Sequence, residues 1–113
     1  MWDTSKVTRM EAMFRNAKAF NQPLSGWDVS KVISMLQMFQ GASVFNQPLS
    51  NWDTSSLYRI DFMFEDASSF NQDLSAWMIT GVAMMQNVFT NSALSTYNYN
   101  AILDGRHQQG ASN

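Results

Sequence analysis

Cysteine is absent from this chain of 113 residues, which excludes a disulfide framework and a thiolate metal site. That absence suits an oxidising compartment as readily as the cytosol. Charge is scarce too, at 14% Asp, Glu, Lys and Arg with a net charge of −2. Nucleic acid and acidic membrane surfaces demand clustered Lys and Arg, so neither is expected as a partner. No run of about 18 apolar residues occurs, so no direct membrane insertion is expected. No basic stretch followed by an apolar one marks a signal peptide. The sole histidine, His107, stands in the polar C-terminal stretch, where it cannot complete a Ser-His-Asp arrangement within the rest of the chain. There is no glycine-rich phosphate loop. The carboxylates Asp61, Glu65 and Asp66 crowd together, but a solvated face accounts for them. The expectation is a protein that is not an enzyme and needs no cofactor.

What the chain does have is repetition. Phe20-Asn21-Gln22-Pro23-Leu24-Ser25-Gly26-Trp27-Asp28-Val29-Ser30 returns as Phe45 to Ser55 and again as Phe70 to Thr80, each step being 25 residues. A fixed period of roughly 20–50 residues marks stacked repeat architectures. The chain opens at Trp2-Asp3-Thr4-Ser5, the repeat entered at its tryptophan, which reads as a fragment without its upstream repeats.

Within each unit Val7, Met10, Met13, Phe14 and Ala17 are spaced i, i+3, i+6, i+7, i+10, the period of a helix with one apolar stripe. Ser5 stands where an N-cap would, so the spacing predicts a short helix from Lys6 to about Asn16. Pro23 disfavours helix at Gln22 and predicts a short strand over Pro23-Leu24-Ser25, with a bend near Gly26 or Trp27. The second unit repeats this with Ser30, Val32, Met35, Met38, Phe39, Ala42, Phe45 and Leu49. The third does so with Ser55, Leu57, Ile60, Met63, Phe64, Ala67, Phe70 and Leu74. In the fourth, Trp77, Thr80, Val82, Met85 and Phe89 persist, Met78 replaces Asp, and the Phe-Asn-Gln phrase does not return.

The units fall near 2–26, 27–51, 52–76 and 77–92, giving a repeat solenoid over 1–92. Leu94 to Gly105 reads as a C-terminal helical cap over 93–105, with Ser95 or Thr96 as its N-cap and Tyr99, Ile102 and Leu103 facing the stack. The polar residues 106–113 read as a disordered tail. Because parallel strands sit about 4.8 Å apart and helices about 8–10 Å, stacked helix-plus-strand units must curve. The expected fold class is therefore α/β: a short curved solenoid of about four units with the geometry of leucine-rich-repeat proteins.

The phrases Phe-Asn-Gln-Pro-Leu-Ser-x-Trp-Asp-x-Ser and Val-x-x-Met-x-x-Met-Phe-x-x-Ala resemble the BspA-like family of bacterial surface proteins, relatives of the leucine-rich repeats. The resemblance runs from Trp2 to about Gly105, and it implies a surface-exposed parent protein with adhesion or partner binding as its role.

Four sets of residues invite a functional reading. Asp3, Asp28 and Asp53 stand one unit apart, and aligned carboxylates could hold a cation such as calcium. The duller account is three separate turn residues, and the expectation is no metal. Asn21, Asn46 and Asn71 with Gln22, Gln47 and Gln72 could line a sugar-binding face, or else satisfy backbone groups at a corner. Six methionines (Met10, Met13, Met35, Met38, Met63 and Met85) lie on the apolar stripe, where core packing explains them better than copper or haem. Ile33, Leu36, Tyr58, Arg59 and Phe62 lie off that stripe. They could form an exposed apolar patch with a cation beside it, or fill gaps between neighbouring units.

The function expected from these readings is a non-catalytic binding or adhesion module of a bacterial cell-surface protein, recognising a protein or glycan partner. The alternative is a structural spacer or self-associating stalk, with a homo-oligomer forming through the open N-terminal end.

Overall fold

The computed structural model of the protein describes residues 3–94. Its 25-residue units are coils laid one on another, coil 1 over 3–27, coil 2 over 28–52, coil 3 over 53–77 and coil 4 over 78–94. Among the described residues there is no helix, and the strand content is reduced to three parallel bridges, Arg9 to Ser34, Ser34 to Arg59 and Arg59 to Met84. The expected α/β architecture of helix-plus-strand units is thus wrong. So is the short strand at Pro23-Leu24-Ser25. The expected cap helix, apart from Ala93 and Leu94, and the whole of the expected tail lie outside the described residues.

The reason lies in what a three-residue spacing means. Each coil is a chain of tight turns in which an N–H donates to the carbonyl three residues back: Val7 to Thr4, Arg15 to Ala12, Ala17 to Phe14, Phe20 to Ala17 and Trp27 to Leu24. Successive corners aim apolar residues inward at i, i+3 and i+7, which imitates a helical stripe. Between the corners, alternate N–H groups leave the coil altogether. Those of Met10, Ala12, Phe14 and Asn16 donate to the carbonyls of Ser34, Leu36, Met38 and Gln40, at 2.7–2.9 Å. Met35, Gln37, Phe39 and Gly41 do the same to coil 3, and Ile60, Phe62, Phe64 and Asp66 to coil 4. A helix would spend those donors on its own carbonyls four residues back.

Two stations per coil make the helix impossible. Ala12, Gln37, Phe62 and Asn87 all have positive φ, from 53 to 58°, and so do Asn16, Gly41, Asp66 and Asn91, from 59 to 73°. Left-handed conformation is easy for Gly and tolerable for Asn and Asp, which is what the second column contains. At Gly41 a β-carbon would run into the Asn16 side chain above it.

Equivalent rings therefore stack at a strand-like repeat. Centroid distances along the Phe14–Phe39–Phe64–Phe89 column are 5.5, 5.4 and 5.7 Å. Along Phe20–Phe45–Phe70 they are 5.8 and 6.0 Å, and Trp52–Trp77 lie at 6.2 Å. No side of the coil has the 8–10 Å separation of packed helices, so the wedge that would bend a helix-plus-strand stack is missing. The radius of gyration is 12.9 Å, about what a globule of this length has.

The core is the sum of these columns. Val32, Met35, Met38, Phe39, Ala42, Phe45, Leu49, Ile60, Met63, Phe64, Ala67, Phe70 and Leu74 are all buried. A further column is inward-facing and β-branched: Thr4, Val29, Thr54 and Ile79 are buried as well. Its hydroxyls replace a backbone bond between coils. Thr4 Oγ1 donates to the Asp28 carbonyl and accepts from the Asp28 N–H, and Thr54 Oγ1 does the same with Met78. The buried indoles of Trp52 and Trp77 each donate to a carbonyl of the preceding coil, Leu24 and Leu49, at 2.9 Å.

Candidate functional site

Three outward-facing regions result from this construction, and each contains residues singled out by type. The first is the corner carrying Asp3, Asp28 and Asp53. Each Oδ1 accepts from the backbone N–H and the hydroxyl of the serine two residues on, at 3.0 and 2.6 Å. These serines close turns; they do not cap helices. The hydroxyl bonds, and next the N–H bonds, hold all three carboxyls below their usual range. Asp28 and Asp53 also feel the carboxylate one coil back, which pushes the other way. Among the described residues no three carboxylates or imidazoles gather where they could hold a metal.

The second region is the Asn–Gln corner. Asn21 Oδ1 accepts from the Asn46 N–H at 2.9 Å and from Gln47 Nε2 at 3.0 Å. Asn46 Oδ1 accepts from the Asn71 N–H at 3.0 Å and from Gln72 Nε2 at 2.8 Å. These amides run up the stack as a ladder, which uses the Asn oxygens and one Gln hydrogen-bonding group per coil. Gln22, on coil 1, is exposed, whereas Gln47 and Gln72 are half-buried.

The third region is the face where the parallel bridges form. Ile33 donates its N–H to the Thr8 carbonyl, and the Ile33 carbonyl accepts from both Tyr58 and Arg59. The Tyr58 carbonyl in turn accepts from Ala83 and Met84. Ile33, Tyr58 and Met84, on three successive coils, are 39%, 53% and 40% exposed. Beside them Arg59 makes a forked pair with Asp61, Nε to Oδ1 at 3.1 Å and Nη2 to Oδ2 at 3.3 Å. Asp61 is buried while Arg59 stays open to solvent. A two-point pair of this kind fixes the plane of the guanidinium. Next to it, Glu11 accepts from Ser34 Oγ at 2.8 Å and pairs with Arg9 at 3.5 Å.

Residues 1–102 match the model of a Mycoplasma protein family of unknown function, DUF285. The chain belongs to the DUF285 family. No curated protein and no solved structure matches it.

In this DUF285 chain the structure thus brings Ile33, Tyr58 and Arg59 together on one face. Leu36 and Phe62 are half-buried, with Phe62 held at positive φ, so they are less available. Met84, which the sequence reading assigned no role, joins the exposed face. Its signal was the switch from Arg9, Ser34 and Arg59 to an apolar residue at one station. Met13, read as core, is 42% exposed.

Proposed function

We propose that the chain is a non-catalytic binding module of a bacterial cell-surface protein, with the bridge face as its contact surface for a protein or glycan. The observation that carries this reading is the pair Ile33 and Tyr58, bare to solvent on adjacent coils next to an arginine whose orientation is fixed by a buried carboxylate. Exposed aliphatic and aromatic side chains with an ordered Arg are the composition of interface hot spots. The resemblance to BspA-like surface proteins supports the surface location and the adhesive role. The backbone bonds of Ile33 and Tyr58 are made between coils, so these two exposed side chains can change at little cost to the stack.

The test is to present the full chain to a glycan array and to a panel of purified matrix proteins, and to repeat any binding with Ile33→Asp and Tyr58→Asp. Both positions are exposed, so both variants keep the fold, and the affinity should fall by about tenfold or more for a hot-spot residue. Binding that survives both substitutions overturns the assignment of the face. Binding lost instead with Gln22→Ala, Gln47→Ala and Gln72→Ala would move the site to the Asn–Gln corner.

A further inference from the structure

The corner at stations 15 to 19 carries charges of opposite sign on coils two apart. It is built from two successive tight turns in each of coils 1 to 3; in the first, Ala17 donates its N–H to the Phe14 carbonyl and Phe20 to that of Ala17. Coil 1 has Arg15 and Lys18 there, coil 3 has Glu65 and Asp66, and coils 2 and 4 have no charged residue. Coil 2 presents Val44 instead, 42% exposed. The openness of this corner owes nothing to the ends of the stack, since Val44, Asp66 and Ser68 are exposed on coils covered from both sides. Within one chain the two charged pairs do not meet. Coils 1 and 3 stand two ring steps apart, of 5.5 and 5.4 Å, and the ion pairs among the described residues are Arg9–Glu11 and Arg59–Asp61. Glu65 and Asp66 accept from neutral amides, Gln40 Nε2 at 2.6 Å and Asn91 Nδ2 at 3.0 Å. Those bonds hold the carboxylates in place without neutralising them.

We propose that this corner is a side-by-side, antiparallel contact between two copies of the chain, with its two-fold axis at Val44 of coil 2. The occupant follows from charge complementarity. Turning a second stack end over end about coil 2 sets its Glu65 and Asp66 opposite Arg15 and Lys18 of the first. The same rotation sets its Arg15 and Lys18 opposite Glu65 and Asp66, as a closed two-fold contact requires. The ring steps from coil 2 to its two neighbours are nearly equal, so both matches are made in one register, with Val44 against Val44. A parallel arrangement in register would set like charge against like. An antiparallel arrangement slipped by one coil would face each charged coil with an uncharged one or with none. Because these charges stay partly in water, the contact is weak and reversible, and it gives register and orientation more than affinity. It uses no residue of the bridge face, so it goes beyond the binding reading above and does not depend on it.

The test is sedimentation equilibrium of the full chain over a concentration series, at about 20 mM and about 500 mM salt, between which the screening length falls from roughly 20 Å to roughly 4 Å. A monomer–dimer equilibrium is expected, with a Kd at least about tenfold weaker at the higher salt. Arg15→Glu with Lys18→Glu should abolish the dimer, and so should Glu65→Lys with Asp66→Asn. Asn is chosen because position 66 has φ 60°, a conformation Asn tolerates. Mixing these two variants should restore a one-to-one dimer, since the acidic coil 1 of one then faces the basic coil 3 of the other. That restoration also shows that both variants fold. Glu65→Gln with Asp66→Asn, which keeps an acceptor for each amide, should weaken the wild-type dimer by about tenfold. A chain that stays monomeric at low salt, an association indifferent to salt, or species that grow beyond the dimer with concentration would overturn the proposal. So would a mixture that fails to pair. Ile33→Asp and Tyr58→Asp should leave the dimer intact; a dimer lost with them would belong to the bridge face and would equally overturn the assignment.

Discussion

Coil 1 and coil 2 carry the same six inward residues at the same stations, Val7, Met10, Met13, Phe14, Ala17 and Phe20 against Val32, Met35, Met38, Phe39, Ala42 and Phe45. Yet the six in coil 2 are all fully enclosed, while in coil 1 Met10 alone is buried. What separates them is company. Coil 2 is covered on both sides, and coil 1 on one. In a stack of this kind, a residue's environment is set by the coils above and below as much as by its own position. A substitution should therefore cost different amounts at equivalent stations.

The largest contrast is expected from Met38→Lys against Met13→Lys. At Met38 the ammonium would be buried with no partner, a cost of several kcal/mol, enough to unfold a domain of ordinary stability. At Met13 it would reach solvent, and the change should stay within about 0.5 kcal/mol. Urea midpoints read both. Equal losses would mean that the end of coil 1 is as closed as its middle.

Next comes Phe39→Ala, which removes a ring stacked on Phe14, Phe45 and Phe64 and should cost about 3–5 kcal/mol. Phe14→Ala also removes a stacked ring, against Phe20 at 4.1 Å and Phe39 at 5.5 Å, but a half-exposed one, and roughly half that loss is expected. Thermal and urea unfolding of the pair would sharpen the comparison into a value for one missing neighbour.

Smaller again is Gly41→Ala. It places a β-carbon at φ +73° against Asn16 and should destabilise by about 2 kcal/mol. Ala12→Gly relieves the same conformation at φ 55° on the open coil, for a gain of roughly 0.5 kcal/mol. If Ala12→Gly destabilised instead, the left-handed station of coil 1 would differ from that of coil 2.

The smallest effect concerns acid. Asp3, Asp28, Asp53 and Asp73 have carboxyls lowered by their serine partners. A carboxyl lowered in the folded state contributes stability that is complete above its unfolded value, near pH 4, and is lost as pH falls through the folded value. Stability should therefore decline below about pH 4. Ser30→Ala should return the Asp28 carboxyl towards its ordinary range, followed by its NMR titration, and leave Asp53 where it was. An unmoved Asp28 would show that the hydroxyl does not hold it.

Much of this molecule is legible from residues alone, and the failures are physical. The 25-residue step is visible because Phe, Trp, Met and Leu recur in register, and nearly all the recurring apolar residues of coils 2 and 3 form the core. The expectation of a helix fails because three-residue turn corners and a helical turn space inward residues alike. The discriminating signal was present at station 16, where Asn16, Gly41, Asp66 and Asn91 are residues that tolerate the left-handed region and that suit a helix interior poorly. The column Thr4, Val29, Thr54 and Ile79 is hard to see in the sequence because Thr reads as polar, while its β-branched shape is what recurs. On the surface, Ile33 and Tyr58 are legible as large apolar residues off the recurring stripe, at a variable station that Thr8 and Ala83 also occupy. The exposure of Met13 could not be read at all, since it depends on the coil that would lie next to it.

The ladder between coils has a mechanical consequence. Its bonds lie along the stacking axis, so a pull that separates one coil from the next along its circumference loads the turn-built strip a few bonds at a time. A released coil of 25 residues pays out about 85 Å of contour, while the stack beneath shortens by about one ring spacing, 5.4–6.0 Å in the phenylalanine columns. Under tension the chain would therefore come apart as a tape unwinds from a reel, in steps of one coil, dissipating work at each step while the remaining turns keep their shape.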